Sequence, residues 1–130
     1  VRAAALQRAR EVGVQALLLA GVDPPGWTEA AVLAREHQGA PELWVSYGLH
    51  PQVVADGDDA ATQAALAELA QIFRSPPLGV AAVALGEIGL DALTPERRAV
   101  LPRQEQALRA HCNITLPAAD SISASVMAAP

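Results

Sequence analysis

Gly86-Glu87-Ile88-Gly89-Leu90-Asp91 follows directly on the apolar run 80–85. A short apolar run closed by glycines reads as a buried strand that ends in a tight turn, and this turn carries two carboxylates. Two earlier stretches repeat the arrangement. Ala16-Leu17-Leu18-Leu19-Ala20 leads into Gly21-Val22-Asp23, and Leu43-Trp44-Val45-Ser46-Tyr47 leads into Gly48-Leu49-His50-Pro51. Each apolar segment delivers a titratable side chain just past its carboxyl end. In parallel α/β folds that rim is where ligands and catalytic groups gather.

Helical patterns alternate with these strands. Residues 2–12 read as a helix with Val1, Ala5, Ala9 and Val12 on one face, ended by Gly13. Strand 14–20 follows. Pro24 and Pro25 are expected to prevent helix before Gly26, so the next helix is placed at 27–37, with Trp27, Ala30, Ala31 and Ala34 inward. The second strand is 43–48. Residues 51–58 read as a loop whose acidic end caps a helix over 59–73, with Leu66, Leu69, Ile72 and Phe73 inward. Pro76 and Pro77 separate that helix from the third strand, 79–85. Thr94-Pro95 has the form of an N-cap followed by proline at the first helical position. Pro102 breaks the pattern and opens a helix over 102–111, on which Gln104, Ala107, Leu108 and His111 share a face.

The order α-β-α-β-α-β-α, with strands roughly 30 residues apart, predicts parallel strands joined by right-handed crossovers. The fold class is therefore α/β, either a doubly wound sheet or part of a (β/α)8 barrel; three apolar strands do not close a barrel. Residues 112–130 change character, being rich in Ser and Ala with no charge after Asp120. They read as a poorly ordered tail on a domain spanning 1–111.

Composition narrows the functional classes. A chain of 130 residues that is 52% hydrophobic forms a core, but aromatics are only 3%, so the core is broad and thin. A net charge of −5 argues against a basic surface for phosphate backbones, so a nucleic-acid substrate requires another source of positive charge, such as a bound metal. Cys112 is the one cysteine, which excludes an intrachain disulfide and agrees with a reducing, cytoplasmic setting. No apolar run reaches membrane-spanning length.

Three residues stand out as chemistry. Glu87, between two glycines at a strand end, reads either as a ligand for a divalent metal or as a solvated loop glutamate. His50 is fixed in direction because Pro51 restricts it to extended backbone; it either faces a metal or phosphate, or is bonded to a loop carbonyl. Asp91 either orients a ligand or an arginine, or simply caps a turn. Asp23 reads as a turn residue before Pro24. His37 and His111 read as structural, and Cys112 as a buried or inert thiol. No dinucleotide fingerprint, Walker motif or nucleophile elbow is present.

Tyr47-Gly48-Leu49-His50-Pro51, Gly86-Glu87-Ile88-Gly89-Leu90-Asp91 and Arg103-Gln104-Glu105, in that order and spacing, resemble the TatD family of metal-dependent hydrolases over residues 1–111. The resemblance implies a (β/α)8, TIM-type barrel that hydrolyses phosphodiesters as a deoxyribonuclease, with one or two divalent metal ions at the rim and DNA as the partner. It implies Glu87 as the metal ligand, His50 at the substrate, and Asp91 completing the catalytic motif. It also implies a His-x-His strand that would lie before Val1, and later histidines that the Ser/Ala ending does not supply. The chain is thus expected to hold strands two to four of eight, with open sheet edges through which it self-associates. Two readings from other classes stand beside this one. One is a non-catalytic interaction module that uses the open sheet; the other is a small doubly wound domain for a phosphorylated metabolite.

Overall fold

The computed structural model describes residues 2–114. Helix α1 (Arg2–Glu11) precedes strand β1 (Ala16–Gly21), helix α2 (Pro24–Glu36) and strand β2 (Glu42–Tyr47). Then come helices α3 (Pro51–Asp56) and α4 (Asp59–Arg74), strand β3 (Ala84–Leu85), and helices α5 (Pro95–Ala99) and α6 (Leu101–Cys112). The strands form a parallel sheet in the order β1-β2-β3. Ala16 pairs with Glu42 and Gly21 with Tyr47 across the first ladder, and Tyr47 pairs with Leu85 across the second. This is the expected α/β arrangement of three parallel strands with flanking helices. Of the expected tail, residues 112–114 are described: Cys112 is the last residue of α6 and is exposed where a buried thiol was one expectation, because it falls off the inward Gln104–Ala107–His111 face, and Ile114 packs against the core. The rest of that tail, 115–130, lies outside the described residues. No helix among the described residues is long and apolar enough to cross a membrane.

Four local expectations are corrected. The prolines at 24 and 25 do not block α2; they begin it. Asp23 is its N-cap, with Oδ1 accepting from Gly26 N–H at 2.7 Å. The first residues of a helix have no intrahelical use for their N–H groups, so proline costs nothing there. Residues 51–56 form helix α3 instead of loop, capped by His50 and again opened by a proline. Strand β3 is two residues long where seven were expected. Pro77–Gly79 forms a 3-10 turn, and Leu78 and Gly79 take positive φ of 54° and 71°, which is not extended backbone, so the segment makes main-chain bonds to β2 only from Val83 N–H onward. Finally, α1 forms but buries no residue, and Val12 is 79% exposed.

The core lies between the sheet and helices α2, α4 and α6. Trp27, Val45, Tyr47, Leu49, Val54 and Leu69 are fully or almost fully buried. On α4 the buried set is Thr62, Ala65, Leu66, Leu69 and Phe73, spaced three or four apart as one helical face requires. Tyr47 meets Phe73 edge-on, with ring centroids 6.4 Å apart. Burial pushes the Tyr47 hydroxyl up to about 12, so it stays protonated and donates to the Val80 carbonyl at 3.1 Å.

Trp27 links the core to the rim. Its indole Nε1–H is shared between the carbonyls of Gly21, at 3.1 Å, and Gly48, at 2.8 Å, the residues at the carboxyl ends of β1 and β2. Gly21 makes room for the ring, since a Cβ there would lie 2.8 Å from Trp27 Cδ1. Trp27→Phe keeps most of the apolar volume and removes the donor, leaving a buried carbonyl without its partner. The expected cost is about 2 kcal/mol; a urea midpoint equal to that of the parent chain contradicts this role.

Candidate functional site

The carboxyl ends of the three strands are stitched together by main-chain hydrogen bonds that continue past the ladder. Gly48 N–H donates to Gly21 O, His50 N–H to Val22 O and Gly86 N–H to Tyr47 O, each at 3.0 Å. Gly48 is the tightest point. A Cβ built there lies 2.5 Å from the carbonyl carbon of Gly86 and 2.5 Å from the carbonyl oxygen of Glu87. Only a residue without a side chain lets the β2 end approach the Glu87 turn so closely. The structure therefore brings the Gly48-Leu49-His50 segment and the Gly86-Glu87 turn to the same end of the sheet, main chain against main chain.

His50 holds its place by capping α3. Its φ of −61° and ψ of 140° are extended, and Nδ1 accepts from Gln52 N–H at 3.1 Å. An accepting Nδ1 is unprotonated, so the neutral ring carries its proton on Nε2. The ring is half-buried, whereas Glu87 is exposed.

Asp91 is drawn into different company. Oδ2 pairs with Arg97 Nη1 and Oδ1 accepts from Leu93 N–H at 3.0 Å. The main chain of Asp91 is clamped by Gln104, a fully buried amide on α6. Its Oε1 accepts from Asp91 N–H at 2.6 Å, and its Nε2 donates to Asp91 O at 3.0 Å and to Arg97 O at 3.3 Å. The carboxylate of Asp91 is thus occupied in orienting an arginine. Asp23, at the end of β1, is likewise committed, to its cap. Among the described residues no three His, Cys, Asp or Glu side chains cluster as a metal site. Among the described residues no hydrogen bond or ion pair engages the Glu87 carboxylate, so the described donor set is one ligand and not an enclosing cage.

Two groups that the sequence reading treated as structural or left unassigned shape this end of the molecule. Arg103 reaches from α6 to α3, donating to the Gly57 and Val54 carbonyls and pairing with Asp59. His111 is 1% exposed; its Nε2 accepts from Leu49 N–H at 3.0 Å, and its Nδ1 lies 2.6 Å from Ala107 O. The signal in the sequence was present. Gln104 and His111 are polar residues on an otherwise inward face shared with Ala107, and buried polar groups are almost always bonded.

Burial holds the His111 pKa below the ordinary 6.5, against a smaller opposing pull from the Ala107 carbonyl. A folded value below the unfolded one means the unfolded chain takes up the proton first. The stabilisation is therefore complete above pH 6.5 and is lost as pH falls below it. Urea midpoints are expected to drop between pH 7 and 5, with the drop reduced in His111→Gln; an identical profile in that variant contradicts the assignment.

The family model described as TatD related DNase matches residues 1–118. The 3'-5' ssDNA/RNA exonuclease TatD of Erwinia tasmaniensis is 33% identical over 115 residues, covering 84% of this chain and 40% of the relative. The protein of that name from Erwinia amylovora is 37% identical over 86 residues, covering 66% of this chain and 29% of the relative. The crystal structure of YjjV, a TatD homolog from Escherichia coli K12, superposes with a TM-score of 0.70 at 27% identity, covering 87% of this chain and 39% of that one. The chain therefore spans two fifths or less of the length of each of these three proteins.

Proposed function

This chain belongs to the TatD related DNase family, and we propose that it carries part of a metal-dependent phosphodiesterase site that acts on single-stranded nucleic acid in the reducing cytoplasm. The observation that carries the reading is the close approach at Gly48, which sets the Glu87 turn against the segment leading into His50.

Each residue has a distinct task. Glu87 offers a hard, anionic oxygen of the kind that magnesium-like ions accept. Such ions are commonly held by one or two carboxylates together with water and substrate phosphate oxygens. The described residues supply one such carboxylate and do not enclose an ion by themselves. A divalent ion held by Glu87 would supply Lewis acidity toward a phosphoryl oxygen and toward the attacking water. His50, with its proton on Nε2, is a hydrogen-bond donor suited to a non-bridging phosphate oxygen. Asp91 acts as a positioning group: paired with Arg97 and clamped by Gln104, it anchors the far end of the turn that bears Glu87. The substrate class follows from the names of the Erwinia relatives, and a chain of net charge −5 needs a cation to meet a polyanion.

The test is metal removal. Cleavage of a 3'-labelled single-stranded oligonucleotide is expected to require added Mg2+ or Mn2+, to stop on chelation and to return on re-addition. Cleavage that persists through exhaustive chelation, or no cation-dependent cleavage at millimolar metal, overturns the reading.

A further inference from the structure

We infer that His111 is a positioning residue for His50: from α6, through the Leu49 amide, it sets the direction and tautomer of the imidazole at the rim. The inference rests on the phosphate-facing role given to His50. Leu49 N–H is buried, and its partner is His111 Nε2 at 3.0 Å, across 62 residues of sequence. The ring is itself fixed, since Nδ1 faces the Ala107 carbonyl at 2.6 Å and therefore carries the proton. Nε2 is thereby left as a pure acceptor aimed at the main chain. The residue after that main-chain amide is His50. Its own amide is tied to Val22 O at 3.0 Å and its Nδ1 to Gln52 N–H at 3.1 Å. With the His50 carbonyl accepting from Val54 N–H at 3.1 Å, four hydrogen bonds define the backbone and ring of residues 49–50, and the most remote in sequence comes from His111. A buried position on a helix face needs no polar group. An imidazole here costs desolvation that only a specific partner offsets.

The readout is the side-chain nitrogen spectrum of His50, which distinguishes the two neutral tautomers and needs no catalysis. His111→Gln keeps an acceptor for Leu49 N–H, whereas His111→Leu keeps volume and removes it. The His50 ring is expected to hold its proton on Nε2 in the parent and in His111→Gln, and to become a mixture of tautomers in His111→Leu. Inorganic phosphate, titrated against the same signals, is expected to bind roughly tenfold more weakly to His111→Leu, the equivalent of one hydrogen bond. An unchanged His50 tautomer in folded His111→Leu overturns the inference. The parent chain supplies a measurement independent of any variant's folding: a resolved scalar coupling between Leu49 N and His111 Nε2 across the hydrogen bond is expected, and its absence also overturns the inference. If phosphate moves no signal in the parent while the tautomer follows His111 as described, the positioning role stands and the phosphate role of His50 fails.

Discussion

Gly48→Ala is expected to lower the stability of the chain by about 3 kcal/mol and to displace the Glu87 turn. The added methyl would sit 2.5 Å from the Gly86 carbonyl carbon, 2.5 Å from the Glu87 carbonyl oxygen and 2.8 Å from Gly86 Cα. All three are backbone atoms, so no rotamer change relieves the clash; one strand end must move away from the other. Overpacking of this kind typically costs 1–3 kcal/mol, and here it falls where backbone must give, so the upper end of about 3 kcal/mol applies. That is a large part of the net stability of a small domain. Gly57→Ala is the control. Its Cβ meets nothing closer than Val53 O at 3.2 Å, and its φ of −89° suits any residue. Urea unfolding is expected to separate the two variants clearly, and equal midpoints contradict the close approach.

Glu87→Gln is expected to leave the fold intact and abolish cation-dependent cleavage. Glu87 is exposed, and no hydrogen bond to its side chain occurs among the described residues, so the change in stability should stay within about 0.5 kcal/mol. The amide keeps size and shape but loses the charge that a hard cation requires. Losing even a group that supports a metal ligand costs about 10- to 100-fold, and losing the ligand itself should cost about 100-fold or more in cleavage rate. A variant as active as the parent removes Glu87 from the chemistry.

The sequence was readable where chemistry and periodicity coincide. The apolar runs ending in Gly21, Gly48 and Gly86 announced three parallel strands and their common rim, and at Gly48 the glycine is required because main chains meet there. The start of α2 was misread because Pro24 and Pro25 look like breakers until Asp23 is recognised as a cap. Helix α3 was hidden for a related reason: its cap is His50, and histidine is not among the usual capping residues. Strand β3 was overextended because the run 79–85 is apolar throughout, whereas Leu78 and Gly79 take left-handed backbone and the first main-chain bond to β2 comes only at Val83 N–H. At the site, the positions of His50 and Glu87 at the rim followed from strand ends alone. The pairing of Asp91 with Arg97 is local, six residues apart, and is one of the two readings its position allowed, whereas the reach of His111 to Leu49 depends on how α6 packs against α3 and α4. No local pattern encodes that contact.

The central claim is that the Glu87 carboxylate and the His50 imidazole serve one site at the carboxyl end of the sheet. Paramagnetic broadening by substoichiometric Mn2+ tests it most directly. Amide signals at 86–89 and 48–50, together with the His50 ring, should broaden first and ahead of exposed acidic positions such as Glu68 on α4, and the effect should vanish in Glu87→Gln. Broadening that begins elsewhere, or that reaches residue 87 and leaves His50 sharp, would contradict it.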